Sequence, residues 1–95
     1  MPLQIMDKHH NTKNQIEQAL LNWGAVKVTV TDNSHLHVGH AGAKSGGGHF
    51  AVIVESADFA GLSRIKSHRL VYQQLSDLFA SGAIHALEVD ATLPN

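Results

Sequence analysis

Apolar positions along this 95-residue chain change period several times, and each change marks an element. Ile16, Ala19, Leu20 and Trp23 recur at helical spacing behind Thr12, which reads as the N-cap, and Gly24 is a natural stop. The period then falls to two. Val26, Val28 and Val30 alternate with Lys27, Thr29 and Thr31, the pattern of a half-buried strand. A second strand starts at His49 and puts Phe50, Val52 and Val54 on one face. Ser56 caps a short helical turn that runs through Phe59 and ends at Gly61. Ser63 caps a longer helix with the stripe Ile65, His68, Val71, Tyr72, Leu75, Leu78 and Phe79, closed by Gly82. Ile84 to Ala91 reads as the third strand, and the tail after Leu93-Pro94 as frayed.

The order is α-β-β-α-α-β, which makes the fold class α+β: one small domain with a three-stranded mixed sheet and helices packed on it. Residues 12–93 form the domain and residues 1–11 a flexible tail. The strand-helix-strand unit from Phe50 to Val89 calls for a crossover with parallel strands. If those strands are neighbours, their N-terminal ends share one edge of the sheet, so His49 and His85 open adjacent strands there. Strict alternation places His85 on the face of Leu87 and Val89, while His49 faces away from Phe50 and Val52.

Between the first two strands lies the segment 34–49, which holds His35, His37, His40 and His49, half of the eight histidines, and no carboxylate. Neutral imidazole suits borderline metals and titrates nearest to physiological pH. For His35 and His37 a solvated loop and a metal site are both open readings. His40, being on the loop, can reach either face, so it pairs with His85 better than His49 does.

Composition narrows the chemistry. The chain has no cysteine, hence no disulfide, no thiol nucleophile and no iron–sulfur site of its own. A net charge of −1 gives no global field for nucleic acid or anionic membrane. No stretch approaches the roughly 20 apolar residues that span a bilayer, and a soluble, cytoplasmic protein is expected. No Ser-His-acid pattern can be placed, so an enzyme is not expected. Arg64, Lys66 and Arg69 make a local basic cluster: a solvated face, or a surface for an acidic partner or phosphate. His68 reads as a structural histidine, and His9 and His10 as solvated. Gly39-His40-Ala41-Gly42 spells the GxxG of KH domains, but between strands rather than helices, so it is a coincidence.

From about Ile16 to Pro94 the chain resembles the BolA family. The matching pieces are His40 nine residues before His49-Phe50, Ser56 with Phe59 and Gly61, His68-Arg69 with Val71, Ile84-His85-Ala86-Leu87, and Thr92-Leu93-Pro94. The resemblance implies a class II KH-like fold and pairing with a monothiol glutaredoxin around a shared [2Fe-2S] cluster, in cluster trafficking and iron homeostasis. It implies His40 as the loop ligand and His85 as the C-terminal ligand, with His37, His35 and His49 as additional candidates. Glutaredoxin cysteine and glutathione would supply the sulfur, nothing being permanently bound to the isolated chain, a monomer or weak homodimer. Some family members are described as transcriptional regulators, so the alternative is DNA binding by a helix-turn-helix-like segment using Arg64, Lys66, Arg69 and Gln73. A stand-alone metal site on the histidine loop is the third reading. Two positions depart from the family: Ser67 stands where arginine is common, and Gly46-Gly47-Gly48 where an acidic residue is common. The first thins the basic helical surface, and the second is expected to loosen the loop.

Overall fold

A computed structural model describes residues 8–34 and 47–94. Helix α1 (Lys8–Trp23) leads into strand β1 (Lys27–Asp32), followed by β2 (Gly48–Glu55), a 3₁₀ turn (Ala57–Phe59), helix α2 (Arg64–Gln74), helix α3 (Ser76–Ala80) and strand β3 (Ile84–Thr92). The sheet order is β1-β2-β3, with β1 antiparallel and β3 parallel to β2. The mixed three-stranded sheet and the parallel crossover are as the periodicities require.

Several local readings need revision. Helix α1 begins at Lys8, so residues 8–11 of the expected tail are helical and Thr12 is buried inside the helix rather than capping it. His9 is half-buried, its ring edge-on to Phe50 at 6.2 Å between centroids, instead of solvated. The predicted long helix is broken at Leu75, where ψ of 13° departs from helical geometry. The stripe it buries is also rotated. Ile65 and Tyr72 are exposed, and Ser67, Val71 and Leu75 face the sheet at i, i+4 and i+8. Tyr72 instead lies along the surface, its hydroxyl donating to the Leu87 carbonyl (2.8 Å) and its ring stacked on Phe79.

The cap readings hold where polar side chains serve the backbone locally. Ser56 Oγ accepts from the Asp58 amide (3.1 Å) and Ser63 Oγ from the Lys66 amide (3.2 Å), each satisfying a donor that the turn leaves open. The core is one cluster between helices and sheet, with Ile16 and Leu20 from α1, Phe50, Val52 and Val54 from β2, Val71 and Leu75 from the second helical segment, and Ile84 and Leu87 from β3. Lys27, Thr29, Ile53 and Glu88 are exposed on the sheet.

Candidate metal centre

The end of the sheet where the parallel strands begin is tied down on both sides. After β1, Asp32 Oδ1 accepts from the Ser34 amide (2.9 Å). Ser34 Oγ accepts from the His49 amide (3.0 Å), and the His49 carbonyl accepts from the Asn33 amide (2.7 Å). The first residues after β1 are thus fastened to the backbone of His49. On the far side of the connection, Gly47 and Gly48 are buried. A Cβ on Gly47 would lie 2.8 Å from both the Gly82 carbonyl oxygen and His85 Cβ. One on Gly48 would lie 2.4 Å from Phe50 Cε2 and 2.9 Å from His9 Nδ1. These two glycines are packing positions where the chain passes against a turn, a ring and a histidine. They do not act as a loosening run.

His85 owes its position to a break in the ladder. Gly48 lies opposite Ile84 and His49 opposite Ala86, so His85 is the extra residue of a β-bulge. The shift in phase shows in burial, since Ile84 and Leu87, three residues apart, are both buried. His85 therefore leaves the face of Leu87 and Val89, to which alternation assigned it, and is exposed. Its ring lies 5.1 Å from that of His49, centroid to centroid, at 44°. The expected partition of these two histidines onto different faces is overturned, because the bulge re-aims one of them.

Two imidazoles on one ion, at metal–nitrogen distances of about 2.0–2.1 Å, have ring centres about 5 Å apart. The His49–His85 pair has that separation. Among the described residues no group of three or more histidines, aspartates or glutamates could hold an ion. By itself the pair could supply two ligands at most, and any further ones would have to come from elsewhere. His35, His37 and His40 lie outside the described residues, as does the GxxG-like tetrapeptide. Chain length alone allows His40 to reach the pair: it is six residue steps from Ser34 and seven from Gly47, at up to about 3.3–3.6 Å each.

The basic residues line two depressions that meet at Leu62. Arg64 lines a cleft with Ser67 and His68, whereas Lys66 and Arg69 border a shallower depression with Leu62, Leu70 and Gln73. The expected helix-turn-helix is also absent in form, because a three-residue 3₁₀ turn stands where a first helix would be. The His68 ring makes no hydrogen bond to a described residue, unlike the hydrogen-bonded structural histidine expected there.

A family model described as BolA-like protein matches residues 16–95. The chain belongs to the BolA family. Protein BOLA1, chloroplastic, of Arabidopsis thaliana is 37% identical over 73 residues, covering 74% of this chain and 45% of its own length. SufE-like protein 1, chloroplastic/mitochondrial, of the same organism is 39% identical over 74 residues, which are 73% of this chain and 20% of that protein. The chain thus spans less than half of the length of either relative. The solved BolA domain of SufE1 from Arabidopsis thaliana superimposes with a TM-score of 0.75 at 34% identity, covering 87% of this chain and 92% of that domain. The α+β architecture with its mixed three-stranded sheet is that of BolA domains. The relatives' names include BolA-like proteins, and no helix among the described residues is long and apolar enough to cross a membrane.

Proposed function

We propose that this BolA-family chain donates histidine ligands to a [2Fe-2S] cluster shared with a monothiol glutaredoxin, acting as an adaptor in cluster trafficking and iron homeostasis rather than as an enzyme. The observation that carries the reading is the His49–His85 pair, 5.1 Å apart at the end of the sheet from which the histidine loop departs and to which it returns. Iron–sulfur clusters are ordinarily held by four thiolates, with two histidines replacing two of them in Rieske centres. A chain without cysteine suits the histidine half of such a set, with the thiolates coming from glutaredoxin and glutathione. His85 and His40 would be the ligands. His49, against His85, would be a third imidazole or the group that orients it, since partners around a ligand fix its ring. The bound cluster supplies one-electron chemistry, and replacing charged thiolate by neutral imidazole raises its reduction potential.

The test is reconstitution with a monothiol glutaredoxin, glutathione, iron and sulfide, followed by visible absorption and circular dichroism. The expected product is a heterodimer whose spectrum differs from that of the glutaredoxin homodimer. His85→Ala and His40→Ala should each abolish the difference, while His49→Ala should shift it. An unchanged spectrum in the His85→Ala and His40→Ala proteins would remove the ligand assignment. No observation favours DNA binding, because a three-residue 3₁₀ turn stands where the first helix of a helix-turn-helix would be.

A further inference from the structure

The opposite end of β3 carries a second feature. Strand β3 is an edge of the sheet, and its backbone directions follow from two hydrogen bonds. The Thr92 carbonyl accepts from the Ser56 amide (3.1 Å), so Thr92 points toward β2, while the Leu87 carbonyl points outward and accepts from Tyr72. Amide and carbonyl of one strand residue point the same way in a parallel ladder, and the direction alternates. Val89 and Ala91 therefore turn their N–H and C=O groups away from β2, and none of these groups is bonded to a described residue.

These two residues line a cleft of about 600 Å³ between β3 and the N-terminal half of α2. Across it stands one helical stripe, Arg64, Ser67 and His68 at i, i+3 and i+4. Ser67 is only 6% exposed, yet its hydroxyl has no hydrogen-bond partner among the described residues. The hydroxyl oxygen itself still reaches solvent, so it offers one donor and one acceptor to the cleft beside the open strand amides. Phe59 and Leu62 supply apolar wall. Arg64 forms no ion pair with a described residue. At the Leu87 end the strand edge is already capped by the Tyr72 hydroxyl, and at the other end the strand stops at Thr92. The free edge is short, with two outward residues.

The geometry points to capture of a short extended segment of a partner protein, added as a fourth strand along Val89–Ala91. Side chains of an added strand alternate between faces. Those turned toward α2 meet Arg64, Ser67 and His68 at the mouth and apolar wall further in, which fits an acidic residue followed two places on by an aliphatic one. Those on the opposite face meet Glu88 and Asp90, both exposed, which fits lysine or arginine. The same two carboxylates oppose a phosphate backbone, so a peptide suits the cleft better than nucleic acid. This is recognition by strand addition, in which main-chain bonds give affinity and alternate side chains give specificity.

The probe is a fluorescein-labelled peptide, acetyl-Lys-Glu-Lys-Val-Lys-Val-Lys-amide, titrated into the full chain and followed by anisotropy and by amide NMR spectra. A second peptide exchanges Lys and Glu, and a single-stranded oligonucleotide is the third ligand. Binding should perturb the Val89 and Ala91 amides and slow their hydrogen exchange. The charge-exchanged peptide should bind at least tenfold more weakly. Ala91→Pro removes an amide that serves no ladder bond, which edge strands tolerate, and should abolish binding with helix content unchanged. Arg64→Gln, a surface change, should weaken binding at least fivefold and decides the matter should the proline variant unfold. Absence of binding at millimolar peptide, perturbation confined to other residues, or equal affinity for both peptides would overturn the proposal. So would tighter binding of the oligonucleotide that is lost on Arg64→Gln.

Discussion

Substituting alanine at Gly47 and Gly48 separates two physical accounts by sign. Were these glycines a pliable spacer, alanine would restrict the unfolded chain and stabilise the protein by about 0.4–1 kcal/mol. The structure demands the reverse. At Gly47 the new methyl would sit 2.8 Å from a backbone carbonyl oxygen and 2.8 Å from His85 Cβ, neither of which is the far end of a flexible side chain. At Gly48 it would sit 2.4 Å from the ring of Phe50, which is 2% exposed and has core on its other side. Forcing a methyl into a packed site costs about 1–3 kcal/mol, because backbone or ring must move. For a domain of this size each kcal/mol lowers Tm by about 4–8 °C, so losses of about 4–24 °C are expected, with Gly48→Ala the larger. Thermal melts followed by circular dichroism, supported by urea titrations, measure this directly. Gly47→Ala should also move the His85 ring and change the amide and ring resonances of His49. A Tm equal to or above that of the parent in both variants would refute the packing argument.

Other outcomes follow from single contacts. Tyr72→Phe removes the hydroxyl that caps the Leu87 carbonyl and should cost about 1 kcal/mol, read as a lower urea midpoint at unchanged slope. Because it also frees that carbonyl, the same variant should lengthen the free edge of β3, and hydrogen exchange near Leu87 should accelerate. Leu75→Ala empties a side chain that is 1% exposed at the helix break and should cost about 2–5 kcal/mol, enough to show as partial unfolding at 37 °C. Ser63→Ala takes the cap from α2 and should cost about 1 kcal/mol, together with faster exchange of the Lys66 amide.

What the sequence disclosed, and what it hid, divides along the range of the forces involved. Alternation in Val28–Val30 and Phe50–Val54, caps at Ser56 and Ser63, and the parallel pairing of β2 with β3 are set by neighbours in the chain or by the limited ways a crossover can pack. The bulge at His85 is different. Ile84-His85-Ala86-Leu87 can be phased from either apolar end, and only pairing with Gly48-His49 selects the phase. The one local hint was that Ile84 and Leu87 stand an odd number of residues apart, which no regular strand can bury on one face. Gly47 and Gly48 were opaque for the same reason: what crowds them comes from the turn at Gly82, the ring of Phe50 and α1. Helix α2 misled through Ile65 and Tyr72, since an apolar residue costs little on the surface, whereas Ser67 is drawn inside by where the helix meets β3.

The two ends of β3 make separable claims, and one experiment keeps them apart. His85 and Ala91 are six residues apart, about 20 Å along an extended strand, far beyond the range of about 7–10 Å within which substitutions couple. In the reconstituted glutaredoxin complex, Arg64→Gln should therefore leave the visible spectrum unchanged, while His85→Ala should leave binding of the lysine-rich peptide unchanged. The double variant should show the sum of the two losses, with no interaction term beyond about 0.3–0.5 kcal/mol. Should Arg64→Gln instead weaken assembly of the complex without altering the spectrum of what does assemble, the segment captured by the cleft belongs to the glutaredoxin itself. One strand would then bind a single partner twice, by imidazole at its start and by backbone at its end, and linking the two contacts would raise the affinity of each.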